Sequence, residues 1–197
     1  MKEFWNERFG MDEYVYGTAP NAFLKEVLPD LERGSILFPA EGEGRNAVYA
    51  AELGFDVDAF DFSESGKKKA EHLADSKGVK INYQIIDFET FDPSSKQYDV
   101  IALIYAHPPV GKRTAYHRKA IEALKQGGTI IIEGFTKAQL GNKSGGPQNE
   151  EMLFSLDELR SDFESLSDIE IFEMETTLDE GNFHKGDAHI IRLIGKK

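Results

Sequence analysis

An α/β fold on a mostly parallel sheet is what this sequence predicts, on three observations. Apolar runs of strand length recur along the chain, separated by helix-capable segments. The run 98–105 (Tyr-Asp-Val-Ile-Ala-Leu-Ile-Tyr) is nearly continuous in apolar side chains, as suits a strand buried on both faces. The last two runs, 169–174 and 188–194, have no helix-length segment between them and should therefore pair antiparallel.

In chain order, residues 3–9 and 21–28 read as two short helices; Pro20 stands near the start of the second and Pro29 ends it. Between them lies an aromatic, turn-rich stretch, Tyr14 to Asn21. Residues 35–39 form the first strand and 46–53 a helix with Gly54 as its stop. A second strand, 55–60, precedes a helix capped by Ser63 and ended at Gly78. Strands follow at 80–86 and 98–105, then a helix over 113–125, a turn at Gln126-Gly127-Gly128 and a fifth strand at 129–133. Residues 136–152 show no periodicity, which is long for a structureless connection and marks a functional or mobile loop. A helix over 154–163 precedes the closing strands.

The chemistry concentrates at the end of the first strand. Gly42-x-Gly44-x-x-Ala47 formally fits a dinucleotide turn, placed after a strand and before a helix. Glycines there would let a ligand approach the backbone, and the amides opening the next helix would face it. Glu41, however, would disfavour a pyrophosphate and could pair with an ammonium group. Asp61, ending the second strand, can accept from a ribose diol; Asp87, after the third, can accept from an adenine amine, with Phe88 near the ring. Together these acids point to a ligand with adenosine and an amino-acid tail.

The 197 residues suffice for one domain and carry a net charge of −12, which repels a nucleic-acid backbone. Cysteine is absent, removing disulfides, thiolate nucleophiles and Cys-zinc sites and fitting a cytoplasmic protein. No signal-peptide pattern and no membrane-length apolar run is expected, and no metal-binding carboxylate pair stands out.

These residues resemble class I S-adenosylmethionine-dependent methyltransferases, and within them the tellurite-resistance and thiopurine methyltransferase-like group. Trp5-Asn-Glu-Arg-Phe9 and Tyr16-Gly-Thr-Ala-Pro-Asn21 are similar to that group's N-terminal cover over the cofactor. Pro39-Ala40-Glu41-Gly42-Glu43-Gly44-Arg45-Asn46 resembles its glycine motif, though Arg45-Asn46 stands where the wider class often has a third glycine. Asp61-Phe62-Ser63 matches its ribose motif and Asp87-Phe88 its adenine-side motif. The resemblance implies a single Rossmann-like, doubly wound domain over 1–197, with residues 1–30 as cover. It implies helices on both sheet faces and strand order 3-2-1-4-5-7-6, strand seven antiparallel. It also implies S-adenosyl-L-methionine as cofactor, held by Trp5, Phe9, Tyr16, Ala40, Glu41, Gly42, Gly44, Arg45, Asn46, Asp61, Phe62, Ser63, Asp87, Phe88 and Ile104.

For the acceptor side, His107 in Ile104-Tyr-Ala-His-Pro-Pro109 lies at a strand's C-terminal end, where open α/β sheets place ligands, and could orient or deprotonate an acceptor. In the family a histidine at the position of His184 can approach the methyl-transfer site. Arg113 could attract an anion but reads better as an exposed helix charge; His117, His189 and Arg192 read as structural. The segment around Pro108 departs at both key positions from the Asp/Asn-Pro-Pro-aromatic motif of nucleic-acid amino-methyltransferases. The expected partner is a small-molecule acceptor, a thiol or chalcogen oxyanion by resemblance, with no nucleic acid or membrane and a monomeric or homodimeric chain. An NAD-dependent oxidoreductase and a non-catalytic cofactor-binding module remain alternatives at this point.

Overall fold

The structure, a computed structural model, describes residues 2–197. Its elements are α1 (Lys2–Phe9), α2 (Ala22–Val27), β1 (Ser35–Pro39), α3 (Arg45–Glu52), β2 (Asp56–Asp61), α4 (Glu64–Lys77) and β3 (Asn82–Ile85). There follow β4 (Tyr98–Ile104), α5 (Arg113–Ala123), β5 (Leu124–Phe135), α6 (Leu156–Asp162), β6 (Ser167–Asp179) and β7 (Lys185–Lys196). The seven strands run in the order β3-β2-β1-β4-β5-β7-β6. The expected topology is therefore present, with β7 antiparallel to both its neighbours. Among the described residues no helix is long and apolar enough to cross a membrane.

The chain divides into two compact units. The first runs to Phe91 and includes Glu180–Phe183. Its strands are parallel, β1 to β2 from Ser35↔Asp56 to Pro39↔Phe60 and β2 to β3 from Asp58↔Asn82 to Asp61↔Ile85. Every residue of β1 is buried. Ser63 caps α4 by accepting the Gly66 amide, and Gly78 closes that helix at φ 68°. Val48 of α3 packs against Leu73 and Ala74 of α4, with Tyr14, Val79 and Ile81 around them.

The second unit comprises Asp92–Asp179 and His184–Lys197. Here β4 pairs parallel with β5, and β7 lies between β5 and β6. Its apolar cluster gathers Phe135, Leu153, Leu178, Ala188 and Ile190, with Tyr105 and Met174 against it. Several boundaries differ from the sequence reading. Residues 126–128, expected as a turn, lie within β5, because the Gly127 amide donates to the Lys197 carbonyl (2.6 Å) and the Lys197 amide to Gly128 (3.0 Å). β6 extends to Asp179 because polar residues beyond Met174 stay paired with β7 as far as Asp179↔Lys185. Phe154 is not helical: its amide donates to Phe135 and its carbonyl accepts from Lys137, so α6 starts later, capped by Ser155. β6 stands last in the sheet order and leaves Glu170, Phe172, Glu173 and Glu175 exposed.

Candidate cofactor site and acceptor-side residues

The glycine turn is wired to the backbone by acids. Glu41 Oε1 accepts the amides of Asn46 (2.9 Å) and Ala47 (2.8 Å), serving the N-terminus of α3 from outside the helix. Its Oε2 makes no hydrogen bond among the described residues. Burial raises the Glu41 pKa to about 7, against the pull of those amides and of Arg45. Asp61 accepts from the Gly42 amide (3.2 Å) through Oδ2 and from the Ser63 amide (2.8 Å) through Oδ1, and burial raises it to about 6. Two carboxylates whose charged form is disfavoured by burial gain from a cationic or hydroxyl-bearing ligand.

The packing inside the protein also requires both glycines. Gly42 (φ 65°) has no room for a Cβ: such an atom would lie 2.9 Å from Cζ of Phe9. At Gly44 (φ 87°) it would lie 2.5 Å from Cβ of Ala70 on α4. The bare faces are thus filled by the protein itself, and the exposed residue of the turn is Ala40, held at φ 54°. That is a sparsely populated conformation for a residue with a side chain.

Arg45 and Asn46, grouped with the ligand contacts by resemblance, are tied to other parts of the chain. Arg45 forms a buried ion pair with Glu180 (3.0 Å) and donates to the Ala19 carbonyl (3.4 Å). Asn46 Oδ1 accepts the Asn21 amide (2.9 Å). Glu43, which the sequence reading passed over, is buried; it accepts the Val15 amide (2.9 Å) and pairs with Lys69 (2.8 Å). A second acid between the two glycines was the available signal. Tyr83, also missed, donates its hydroxyl to the Gly42 carbonyl (2.6 Å), and nothing local in β3 announces it.

The N-terminal aromatics cluster. Trp5 stacks on Phe9 at 5.2 Å between centroids, and Tyr16 lies 6.5 Å from each. Asn6 Oδ1 accepts from Ser63 Oγ (2.7 Å) and the Glu64 amide (3.0 Å), anchoring α1 on the start of α4. Phe62 is half-buried. Asp87 holds its own turn, its Oδ1 accepting the amide (2.9 Å) and hydroxyl (2.8 Å) of Thr90, which lower its pKa. The Phe88 ring is buried edge-on to Phe60 (5.3 Å) and Phe91 (6.4 Å).

In the second unit Ile104 ends β4, half-buried, and Tyr105 follows at φ 52°. His107 does not offer a nitrogen for chemistry. Its Nδ1 is 2.8 Å from the Met152 carbonyl and its Nε2 accepts the Phe135 amide at 3.0 Å, which fixes the proton on Nδ1. Burial lowers its pKa to about 4. The expectation that His107 deprotonates an acceptor is corrected on this geometry: both ring nitrogens are occupied by backbone. Its ring lies between Phe154 (4.5 Å) and Phe135 (5.8 Å), and Gly134 is bare because a Cβ would strike Phe154 at 2.6 Å. His184 is buried, edge-on to Tyr105 (4.5 Å) and Phe135 (5.3 Å). Arg113 and His117 both reach Asp162 Oδ2 at 2.7 Å, joining α5 to α6. Arg192 pairs with buried Glu133 at 2.6 Å.

The stretch 136–152 is ordered by Gln139, which is fully buried. Its amide nitrogen donates to Ser144 Oγ (2.9 Å) and the Gly145 carbonyl (3.0 Å), and its oxygen accepts the His189 amide (2.9 Å). Among the described residues no cluster of His, Cys, Asp and Glu could hold a metal ion.

A family profile described as "Methyltransferase domain" matches residues 36–128, from β1 to the glycine pair in β5. A curated relative, a ubiquinone biosynthesis O-methyltransferase of Rickettsia conorii, is 29% identical over 156 residues, 79% of this chain and 54% of that protein. The chain thus spans about half the length of the curated relative it matches. Among solved structures, one described by the conversion of a disulfide bond into a thioacetal group during echinomycin biosynthesis superposes with a TM-score of 0.77. It is 20% identical, over 100% of this chain and 92% of that one. An S-adenosylmethionine-dependent methyltransferase from Clostridium acetobutylicum superposes with a TM-score of 0.65 at 14% identity, over 100% and 92% of the two chains. Residues 36–128 therefore resemble a methyltransferase domain, and the chain shares its fold with an S-adenosylmethionine-dependent methyltransferase.

Proposed function

We propose that this chain is an S-adenosylmethionine-dependent methyltransferase for a small-molecule acceptor. The observation that carries the reading is the carboxylate of Glu41: one oxygen fixed by two α3 amides, the other making no hydrogen bond among the described residues, in a site that raises its pKa to about 7. A ligand ammonium group would pair with it and restore its charge. Asp61 would accept from the ribose diol, exchanging part of its hold on the turn, and Asp87 from the adenine amine. Ala40 and Gly42 would contact the amino-acid tail, with Gly44, Arg45 and Asn46 shaping the turn beneath. Phe62, Ser63 and Phe88 would flank the nucleoside. Trp5, Phe9 and Tyr16 would exclude water.

When bound, the cofactor supplies a methyl group on a sulfonium, an electrophile already activated. What the chain must add is alignment of the acceptor opposite the sulfur and a dry site; alignment alone can lower a barrier by roughly 7–11 kcal/mol in favourable cases. His184, buried against Tyr105 and Phe135, is the side chain proposed to contact the acceptor. His107 would act by holding the segment after β4. We assign the chain to the tellurite-resistance and thiopurine methyltransferase-like group and the acceptor to soft nucleophiles, thiol or chalcogen. The sulfur chemistry named for the echinomycin-pathway structure favours this choice. A second reading, an oxygen acceptor with His184 as base, is favoured by the relative named for O-methylation.

Calorimetry with S-adenosylhomocysteine tests the cofactor. Saturable one-site heat that weakens in Asp61→Ala is expected; flat heat from folded protein would end the proposal. A panel of thiols, tellurite and phenols, read as S-adenosylhomocysteine formed, separates the two acceptor readings.

A further inference from the structure

Four consecutive residues between β6 and β7 all engage the N-terminal segment. Glu180 pairs with Arg45 at 3.0 Å, its side chain only 12% exposed, and accepts from Asn21 Nδ2 at 3.2 Å. Gly181 (φ 80°) lies flat on the backbone of residues 15–17; a Cβ there would fall 2.6 Å from the Val15 carbonyl oxygen and 2.7 Å from the Gly17 nitrogen. Asn182 Nδ2 donates to Glu13 (3.3 Å). The Phe183 ring lies beneath the Arg8 guanidinium at 4.6 Å, and Arg8 also covers Phe4 and Trp5. From the glycine turn, Glu43 holds Val15, Arg45 holds Ala19 and Asn46 holds Asn21. The segment 8–21 is therefore gripped by the turn on one set of contacts and by residues 180–183 on another.

We propose that Glu180–Phe183 is a latch for the N-terminal cover, with Glu180 as its key, and that opening this latch limits the exchange of cofactor. The proposal rests on the cofactor reading above. A loop serving only to join two strands has no need to bury a carboxylate against an arginine of the glycine turn. Nor does it need a glycine where a side chain would displace the cover. The latch acts locally: Phe9 fills the bare face of Gly42 only while α1 is held down, so releasing residues 8–21 uncovers the turn without unfolding β1 to β3. Glu180 is a positioning residue in this scheme; it acts through Arg45 and Asn21.

The test is limited trypsin digestion of the full chain, with Glu180→Gln and Gly181→Ala as variants and mass spectrometry as readout. Cleavage after Arg8 is normalised to cleavage after Lys119 in α5. Both variants should raise that ratio by about tenfold, a size set by the loss of one buried partner of an ion pair or the insertion of a clashing methyl. The emission of Trp5, the chain's one tryptophan, should shift with it. Stopped-flow dissociation of S-adenosylhomocysteine should accelerate to a similar degree. An unchanged ratio in both variants would overturn the latch. So would a parallel rise at Arg8 and Lys119, which reports global loosening. Wild-type protein that binds no S-adenosylhomocysteine would sink the cofactor reading instead, and the cleavage ratio would still decide whether residues 180–183 fasten the cover.

Discussion

Tyr83 donates its hydroxyl to the carbonyl of Gly42 at 2.6 Å, a bond from the third strand to a turn that the first strand carries. Tyr83 is buried, so that carbonyl has no water to replace the lost donor. Tyr83→Phe should lower unfolding free energy by about 1–3 kcal/mol, measured by urea denaturation at neutral pH. Because Gly42 also donates to Asp61, the variant should weaken S-adenosylhomocysteine binding as well.

Glu41 gives a pH-dependent prediction. Its folded pKa, about 7, lies above the ordinary glutamate value of 4.5, so its ionisation penalises the folded free protein. The penalty is absent below pH 4.5, grows as pH rises and is complete above 7. Glu41→Gln keeps an oxygen for the Asn46 and Ala47 amides and removes the charge. At pH 8 it should be more stable than wild type by about 1–2 kcal/mol, with the difference vanishing near pH 4. The same variant should bind S-adenosylhomocysteine at least about tenfold more weakly. Paired denaturation and calorimetry across pH check both.

The shift at His107 has the opposite sense. The folded ring, with a pKa of about 4 against an ordinary 6.5, is kept neutral. Stability is held above pH 6.5 and lost as pH falls from there through 4. His107→Ala should cost about 2–4 kcal/mol at pH 7.5, since it strips partners from the Phe135 amide and the Met152 carbonyl, and should flatten that acid loss. Under the assigned role, turnover per folded molecule should retain the wild-type pH profile; a general-base signature removed by the substitution would refute it.

Gly44 and Gly54 separate strain from collision. Both have φ near 90°, but a Cβ at Gly44 would lie 2.5 Å from Ala70 while one at Gly54 meets nothing within 4 Å. Gly54→Ala should cost about 1 kcal/mol and Gly44→Ala about 2–4 kcal/mol, read as the shift in thermal midpoint.

The parts of this molecule legible in the sequence are those set by local pattern. Residues 98–105 announce a buried strand by composition, and Ser63 and Gly78 bracket α4 because capping chemistry is local. What escaped depends on partners far along the chain. Residues 126–128 join β5 because they bond to Lys197. Gln139 orders its stretch through His189. At the candidate site the acids stand out in the sequence, but their hydrogen bonds do not: Asp61 and Glu41 bind backbone amides, and the glycines make room for Phe9 and Ala70. His107 looked reactive because its type and position invite it. Only the amide of Phe135 and the carbonyl of Met152 reveal a strut.

The acidic border of β6 has a consequence for how copies of this chain meet. A second molecule laid along Glu170, Glu173 and Glu175 would set negative charge against negative charge before any backbone bond could form, and the net charge of −12 opposes the approach from farther away. Concentrated salt shortens the reach of that repulsion, so crowding at high ionic strength is the condition under which neighbouring sheets would begin to stack into larger bodies.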